Sequence, residues 1–294
     1  MQPRPQWQPA PRYVSRRRRR RFPVGGCLLA LASVIFIGLV LGVYLFFPMR
    51  HNILLLGIDY ADPGSYVARS DTIILATVQP SEPYVGLLSI PRDLWVLIPG
   101  VGENRINTAH FFAEAQNPGS GHAAAKQTVE LNFGVQLDYY MRVRFEGFRE
   151  VVAALGGVEV ELPEPMAGYP AGTIYLTPRK ALAFVRHRAT SDDFQRMSNG
   201  QFMMRALLKN MLYPRNWLRL PAVLEAFSNV VDTDIPKWLW PRLVVALLRV
   251  GPQNVDSHVI GRDMVTPFTT NQGASVLAPN WPLINVVLIE MFNR

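Results

Sequence analysis

Residues 52–90 read NILLLGIDYADPGSYVARSDTIILATVQPSEPYVGLLSI, and this stretch decides the fold. It contains three apolar runs of strand length, at 52–58, 72–78 and 84–90. The polar link at 79–83 is short enough to join the second and third runs as an antiparallel hairpin. A longer loop with the turn signal DPGS at 62–65 follows the first run. The stretch therefore predicts strands of a central sheet.

Helical patterns alternate with further short strands in the rest of the chain. Apolar spacing of three and four residues predicts helices, and two of them should stop at Gly134 and at Gly156. Thr177 before Pro178 has the pattern of a helix start. The predicted helices are 123–133, 148–155, 178–185, 197–212 and 221–231, and the predicted strands are 139–145 and 158–162. This order predicts an α/β fold in which helices cover a central mixed sheet on both sides (α-β-α).

The N-terminal part has a different character. Residues 1–47 carry eight arginines and no acid, six of the arginines lie at 16–21, and residues 24–47 carry no charge. A helix of 24 residues is about 36 Å long, enough to cross a bilayer core of about 30 Å. The positive-inside rule predicts a cytoplasmic Arg/Pro-rich tail (1–21), a transmembrane signal anchor (22–47) and an exported remainder. A cleaved signal peptide is the alternative, although the apolar run exceeds the usual length.

The charge distribution excludes several classes of protein. Residues 48–294 carry equal numbers of acidic and basic side chains, so the net charge of +8 comes from the tail. The tail is too short for a helix-turn-helix domain, so no nucleic-acid partner is expected. One cysteine rules out a disulfide framework and a cysteine-based zinc site. Two later apolar runs, at 238–250 and 282–292, predict buried or half-buried helices rather than further spans.

Acids and arginines recur where the predicted strands end or loops begin. Asp59 follows the first strand, Arg69 and Asp71 precede the second, and Arg92 and Asp93 follow the third. Strand-end loops are common places for functional sites. Carboxylates with several arginines suit a magnesium-bound diphosphate, because carboxylate oxygens bind the cation and guanidinium groups bind phosphate oxygens. The alternative is that these charges are solvated loop residues and surface ion pairs.

Several longer motifs follow one another in a characteristic order. They are NILLLGID, ARSDTIILATV, VGLLSIPRDLWVLIPG, RINTAH, LTPRKALAFVRHR and DDFQRMSNGQ. Over roughly residues 52–212 the chain resembles the LytR-CpsA-Psr family of cell-envelope proteins. The resemblance implies a catalytic domain at 51–213, followed by a C-terminal helical extension at 214–294 that packs on the same domain. It also implies transfer of a glycopolymer from a polyprenyl-pyrophosphate carrier to a peptidoglycan hydroxyl, with Mg²⁺ as cofactor.

The resemblance also implies roles for individual residues. Asp59 and Asp71 match the magnesium-binding acids, and Asp71 or Asp93 would accept the proton of the attacking hydroxyl. The implied catalytic residues are Asp71, Arg69, Arg92 and Asp93. The implied pyrophosphate-binding residues are Arg69, Arg92, Arg105, Arg186, Arg188 and Arg196. Arg186 and Arg188 are two residues apart, so in an extended segment their side chains would share a face and bind one phosphate together.

Three departures from the family pattern bear on these roles. Asn199 replaces a usual arginine, which indicates either weaker phosphate binding or a structural role. Asp59 lies in Gly-Ile-Asp where Gly-Thr-Asp is commoner, and Asp192 replaces a usual glycine. Two other functions would use the same residues: a lipid-pyrophosphate hydrolase, and a non-catalytic protein that binds the lipid-linked glycan or regulates envelope synthesis.

Overall fold

The computed structural model describes residues 24–58, 67–187 and 193–292. The chain forms two compact units, 1–44 and 45–294. Helix α1 (Val24–Phe46) lies in the first unit up to residue 44, and its residues Leu28–Phe46 form a stretch of 19 residues that is long and apolar enough to cross a membrane and is not buried against protein. The predicted span is confirmed as a helix of suitable length and composition. It is the only such helix in the part of the chain that the structure describes.

The second unit contains twelve strands within the described residues. They are β1 (His51–Ile58), β2 (Ser70–Gln79), β3 (Tyr84–Ile90), β4 (Trp95–Ile98), β5 (Gly102–Arg105), β6 (Tyr139–Arg144), β7 (Val158–Leu162), β8 (Gly172–Leu176), β9 (Val231–Thr233), β10 (Asp256–Val259), β11 (Val265–Thr269) and β12 (Ser275–Pro279). Six of them form one sheet in the order β10-β3-β2-β1-β6-β9. β4 with β5, β7 with β8 and β11 with β12 form three two-stranded sheets.

Helices surround these strands. They are α2 (Thr108–Gln116), α3 (Gly121–Phe133), α4 (Phe145–Leu155), α5 (Pro178–Arg186), α6 (Asp193–Leu212), α7 (Leu220–Val230), α8 (Trp240–Val250) and α9 (Trp281–Phe292), with short 3₁₀ turns at Pro214–Arg219, Lys237–Leu239 and Arg262–Met264. α3 and α4 end at Gly134 and Gly156, whose positive φ angles of 68° and 81° suit glycine. Thr177 caps α5 with a long bond of 3.5 Å from the Lys180 amide. The predicted helix ends are therefore confirmed.

The central sheet is mixed, as predicted. β1 pairs antiparallel with β2, and β2 pairs antiparallel with β3 as the expected hairpin. β6 runs parallel to β1, and β10 runs parallel to β3. Side chains alternate along β1, so that Leu54 and Leu56 pack under α3 and α9, while Ile53 packs on the other face against α8. Helices thus cover both faces, which confirms the α-β-α architecture.

The segment from residue 214 onwards differs from the predicted helical extension. It contains four strands, and two of them, β9 and β10, form the edges of the central sheet. The sequence hid them because β9 has only three residues and β10 (DSHV) lacks an apolar run. These residues are part of the domain's sheet, so describing them as purely helical is wrong.

Candidate functional site

The candidate site lies where β1 ends and β2 begins. In the β1–β2 ladder Gly57 is opposite Thr72 and Ile58 is opposite Ser70, so Asp71 is the extra residue of a β-bulge. Bulges turn a side chain out of the regular alternation and are common beside active sites. Asp71 thereby lies at the strand end where the sequence predicted a site. Asp59, the residue after Ile58, lies outside the described residues.

Arg92, which follows β3, pairs with Asp71 and with its neighbour Asp93. Arg92 Nη1 donates to Asp71 Oδ1 at 2.6 Å, and Arg92 Nε lies 3.5 Å from Asp93 Oδ2. Arg105, the last residue of β5, places Nε 3.1 Å from Asp93 Oδ1. Its Nη2 donates to the carbonyl oxygen of Ser275 at 2.9 Å, which fixes the side chain against β12. Each of these four charged side chains is only 17–28% exposed, so they form a connected group rather than separate solvated charges.

Arg196 joins the same group from α6. The residue is 7% exposed, and its Nη2 donates to the backbone carbonyl oxygen of Asp71 at 2.8 Å. Arg69 lies two residues before Asp71 and is exposed. The structure therefore brings together Asp71, Arg92, Asp93, Arg105 and Arg196. The three arginines outnumber the two carboxylates, which suits an anionic ligand.

The end of α5 tests the predicted arginine pair in part. Arg186 is the last residue of the helix, and its guanidinium carbon lies 5.3 Å from the centre of the Phe145 ring. His187 has an extended backbone, with φ −61° and ψ 132°, and the helix ends at Arg186, one residue later than predicted. Arg188 lies outside the described residues. The shared phosphate grip of Arg186 and Arg188 therefore stays a prediction.

Asn199 has a structural role at this point. It is fully buried in α6, and its Nδ2 donates to the carbonyl oxygens of Phe184 at 3.3 Å and His187 at 3.4 Å. The Phe184 carbonyl also accepts from the His187 amide at 3.3 Å, so Asn199 adds a second donor to it and supplies a donor to the carbonyl of the residue that follows the helix. The residue that replaces the family's usual arginine therefore holds the end of α5 beside Arg186.

Replacing Asn199 by alanine is expected to destabilise the protein by about 1–2 kcal/mol, because the two hydrogen bonds that Nδ2 donates would be lost. Ser198→Ala is the matched control, because the Ser198 hydroxyl donates to the Phe194 carbonyl in its own helix. Denaturant unfolding measures the two free energies. Equal stability of the two variants would contradict the role of Asn199.

A buried ionic network that the sequence did not predict lies behind the site. Arg142 of β6 is 3% exposed. Its Nη1 lies 3.1 Å from Glu114 Oε2 and 3.1 Å from His110 Nε2, and its Nη2 donates to Asp232 Oδ2 at 2.6 Å. Polar and apolar side chains alternate along β6, and Arg142 is on the more polar face of the strand. Helices α2 and α3 cover that face in the structure. His110 and Glu114, four residues apart on one face of α2, were the signal available in the sequence.

The network fixes the chain that leads into the site. Arginine only donates hydrogen bonds, so His110 Nε2 is an acceptor and Nδ1 carries the proton. Nδ1 then donates to the carbonyl oxygen of Ala68 at 2.9 Å, directly before Arg69. Burial lowers the pKa of His110, which keeps the ring neutral. The network thus anchors the segment that carries Arg69 and Asp71.

Asp71 is the described residue that the resemblance assigns to a magnesium site. Asp71 Oδ1 bonds to Arg92, and the other carboxylate oxygen supplies the hard donor that magnesium prefers. Within the described residues no group of three or more acidic, histidine or cysteine side chains could hold a metal ion alone. Asp71 therefore fits one ligand position, and a metal would need further oxygen atoms from Asp59, water or phosphate.

Comparison with known proteins gives this geometry its context. The family model described as LytR_cpsA_psr matches residues 49–287, which is most of the chain. The chain belongs to the LytR_cpsA_psr family. TagU of Oceanobacillus iheyensis, named a polyisoprenyl-teichoic acid–peptidoglycan teichoic acid transferase, is 34% identical over 190 residues, which cover 63% of this chain and 58% of that protein. This family member spans about six tenths of the length of the curated relatives it matches.

Solved structures of other proteins share the fold. The crystal structure of Bacillus subtilis TagV has a TM-score of 0.65 and 25% identity, over 84% of this chain and 98% of that chain. The structure of TagT bound to LIIa-WTA has a TM-score of 0.64 and 23% identity, over 83% of this chain and 90% of that chain. In both comparisons the similarity includes the α-β-α domain of this chain.

Proposed function

We propose that this protein is a membrane-anchored phosphotransferase that moves a glycopolymer from a polyprenyl-pyrophosphate carrier to a peptidoglycan hydroxyl. The observation that carries the proposal is the group in which Arg92, Arg105 and Arg196 surround Asp71 and Asp93 at the end of the sheet. Such a group can bind a diphosphate and still keep carboxylates for proton transfer and metal binding. The name of the related TagU supports the substrate class.

The reaction assigns a task to each part of the site. The acceptor hydroxyl oxygen forms a bond to the phosphorus next to the glycan, and the bond from that phosphorus to the bridging oxygen breaks. Polyprenyl phosphate leaves with the electron pair, and Asp71 or Asp93 takes the hydroxyl proton. Arg92, Arg105 and Arg196 hold the non-bridging oxygens in place and stabilise the charge that develops on them.

Magnesium is part of the proposal. Asp71 and Asp59 would hold the ion. When bound, it would neutralise charge on the diphosphate oxygens. The arginines and carboxylates act on the substrate as described above.

Incubation with a short lipid-pyrophosphate glycan, magnesium and peptidoglycan tests the function. Mass spectrometry of digested wall fragments should detect glycan joined through phosphate to the wall. Free glycan phosphate without wall adduct would instead indicate a hydrolase, and unchanged substrate with measurable binding would indicate a binding protein. Either result would overturn the transferase proposal.

Lysine in place of Arg186 or Arg188 is expected to weaken binding of a fluorescent polyprenyl pyrophosphate about tenfold, because lysine keeps the charge but loses the planar fork. His187→Ala is the matched control between them. The buried Nδ1 of His187 makes no hydrogen bond within the described part of the chain, so its loss should change affinity little. Equal affinities in all three variants would remove both arginines from the proposed site.

The proposed orientation places residues 1–21 in the cytoplasm and residues 51–294 outside, with α1 as a single span. With Cys27 replaced by serine, cysteine at Gln116 should react with an impermeant thiol reagent on intact cells, because Gln116 is exposed at the end of α2. Cysteine at Ser15 should react only after the cells are opened. Labelling of Ser15→Cys but not Gln116→Cys on intact cells would reverse the orientation.

A further inference from the structure

Helix α8 is apolar on two opposite faces. Leu243, Ala246 and Val250 are at most 6% exposed and pack in the core against the central sheet. On the opposite side Val244 and Leu248 are 46% and 51% exposed. Pro241, also exposed, continues this stripe at helical spacing. An outward apolar stripe on a helix that is already packed into the core indicates a contact surface.

Two residues at the start of the second unit, Phe46 and Phe47, contact this helix. Phe47 lies near the end of the uncharged run that includes α1, three residues before Arg50, and Arg242 of α8 donates to the carbonyl oxygen of Phe47. Two turns further along α8, the guanidinium carbon of Arg249 lies 4.9 Å from the centre of the Phe46 ring. Both ends of α8 therefore contact the residues at which the chain leaves the apolar run. If the proposed span ends at these residues, α8 is close to the membrane boundary.

The charge of residues 237–251 suits the surface of an anionic bilayer. Residues 237–251 contain no acid, and their exposed basic side chains are Lys237 and Arg249, whereas Arg242 is buried. Trp238, which is 57% exposed, precedes the helix. Tryptophan with basic side chains beside an apolar stripe is typical of segments that lie in the interface of an anionic bilayer.

A second copy of the chain fits the surface less well. A stable interface between proteins uses about 20–30 residues from each partner. The stripe has three exposed apolar side chains, with Trp238 at its end. A bilayer requires no matching surface, and a few inserted apolar groups suffice when a span already holds the chain there.

We propose that the outer face of α8 rests on the bilayer, with Val244 and Leu248 inserted among the lipids and Lys237 on anionic headgroups. The domain then lies on the membrane on the face of the sheet that α8 covers. The proposal rests on the membrane span of α1. It adds a second, interfacial contact that fixes the orientation of the domain relative to the lipid-linked substrate.

The test uses the full chain in nanodiscs of phosphatidylglycerol and phosphatidylcholine that contain doxyl-labelled lipid. With Cys27 replaced by serine, an environment-sensitive fluorophore is attached to a single cysteine in Val244→Cys, Leu248→Cys or Leu131→Cys. Leu131 is the matched control, because it is 54% exposed on α3, on the opposite side of the sheet. Doxyl quenching at 244 and 248 should exceed that at 131 by about threefold, with a blue-shifted emission.

A charge variant shows whether quenching at position 248 comes from contact with anionic lipid. Lys237→Glu should reduce quenching at 248 about twofold in anionic nanodiscs and change it little in pure phosphatidylcholine. Equal quenching at 131 and 248 would overturn the proposal. Emission at 248 that depends on protein concentration but not on doxyl lipid would overturn it in favour of contact between copies.

The same experiment distinguishes an error in the proposed membrane span from an error in the proposed α8 contact. A chain that does not co-purify with nanodiscs would refute the span and, with it, the proposal. A chain that co-purifies but shows no quenching at 248 would refute the α8 contact alone.

Discussion

Asparagine at position 71 is expected to lower the rate of glycan transfer by about two to three orders of magnitude, with the fold intact. The substitution keeps the shape of the side chain but removes the charge that pairs with Arg92 at 2.6 Å. It also removes a carboxylate ligand from the proposed magnesium site. A magnesium titration of transfer rate measures the effect, and unfolding in denaturant checks the fold.

The control for Asp71→Asn is Asp263→Asn, which changes an exposed acid in the turn Arg262–Met264. That variant should keep the normal rate. Asp93→Asn extends the comparison, because Asp93 shares Arg92 but belongs to the loop after β3. Wild-type turnover of Asp71→Asn across the whole magnesium range would refute its role in the metal site.

Methionine at position 142 is expected to destabilise the protein by about 3–5 kcal/mol, because it leaves the buried carboxylate of Glu114 without its cation. The side chains of Arg142 and Glu114 are both 4% exposed, so water cannot replace the lost partner. The free energy of unfolding of the detergent-solubilised chain, followed by tryptophan fluorescence, measures the loss. The double variant Arg142→Met with Glu114→Gln should recover part of it. Equal stability of the single and double variants would contradict the network.

The same network predicts a dependence of stability on pH. Burial would raise the pKa of Glu114, but hydrogen bonds from the amides of Gly119 and Gly121 and the charge of Arg142 together lower it. A carboxyl whose pKa is lower in the folded state stabilises the fold above its unfolded pKa of about 4.3. That contribution is lost as the pH falls through the folded pKa. Stability should therefore decline in acid, and less steeply in Glu114→Gln.

The strands and helix ends were predictable because each depends on local sequence. Apolar runs defined β1, β2 and β3, and glycines defined where α3 and α4 end. β9 was not predictable, because its three residues are a strand only by pairing with β6. The sequence therefore does not predict a strand whose conformation depends on long-range pairing rather than on the preferences of its own residues.

The candidate site was likewise predictable only in part. Asp71, Arg92 and Asp93 were predictable from their positions at strand ends. Their bonding was not, because the bulge at Asp71 and the approach of Arg196 from α6 depend on how distant segments meet. Asn199 had two possible roles in the sequence, and only its burial beside α5 decided between them.

The position of β9 and β10 at the two edges of the sheet has a consequence for biogenesis. Both strands come from residues after 230, whereas the four strands between them are complete by residue 144. If the chain crosses the membrane from its N-terminal side onwards, the inner strands emerge first, with the backbone of β3 and β6 open along both edges. Open edges can pair with other chains. Protection against such pairing arrives only when β9 and β10 emerge, so both edges of the sheet stay open until residues 231–259 have crossed.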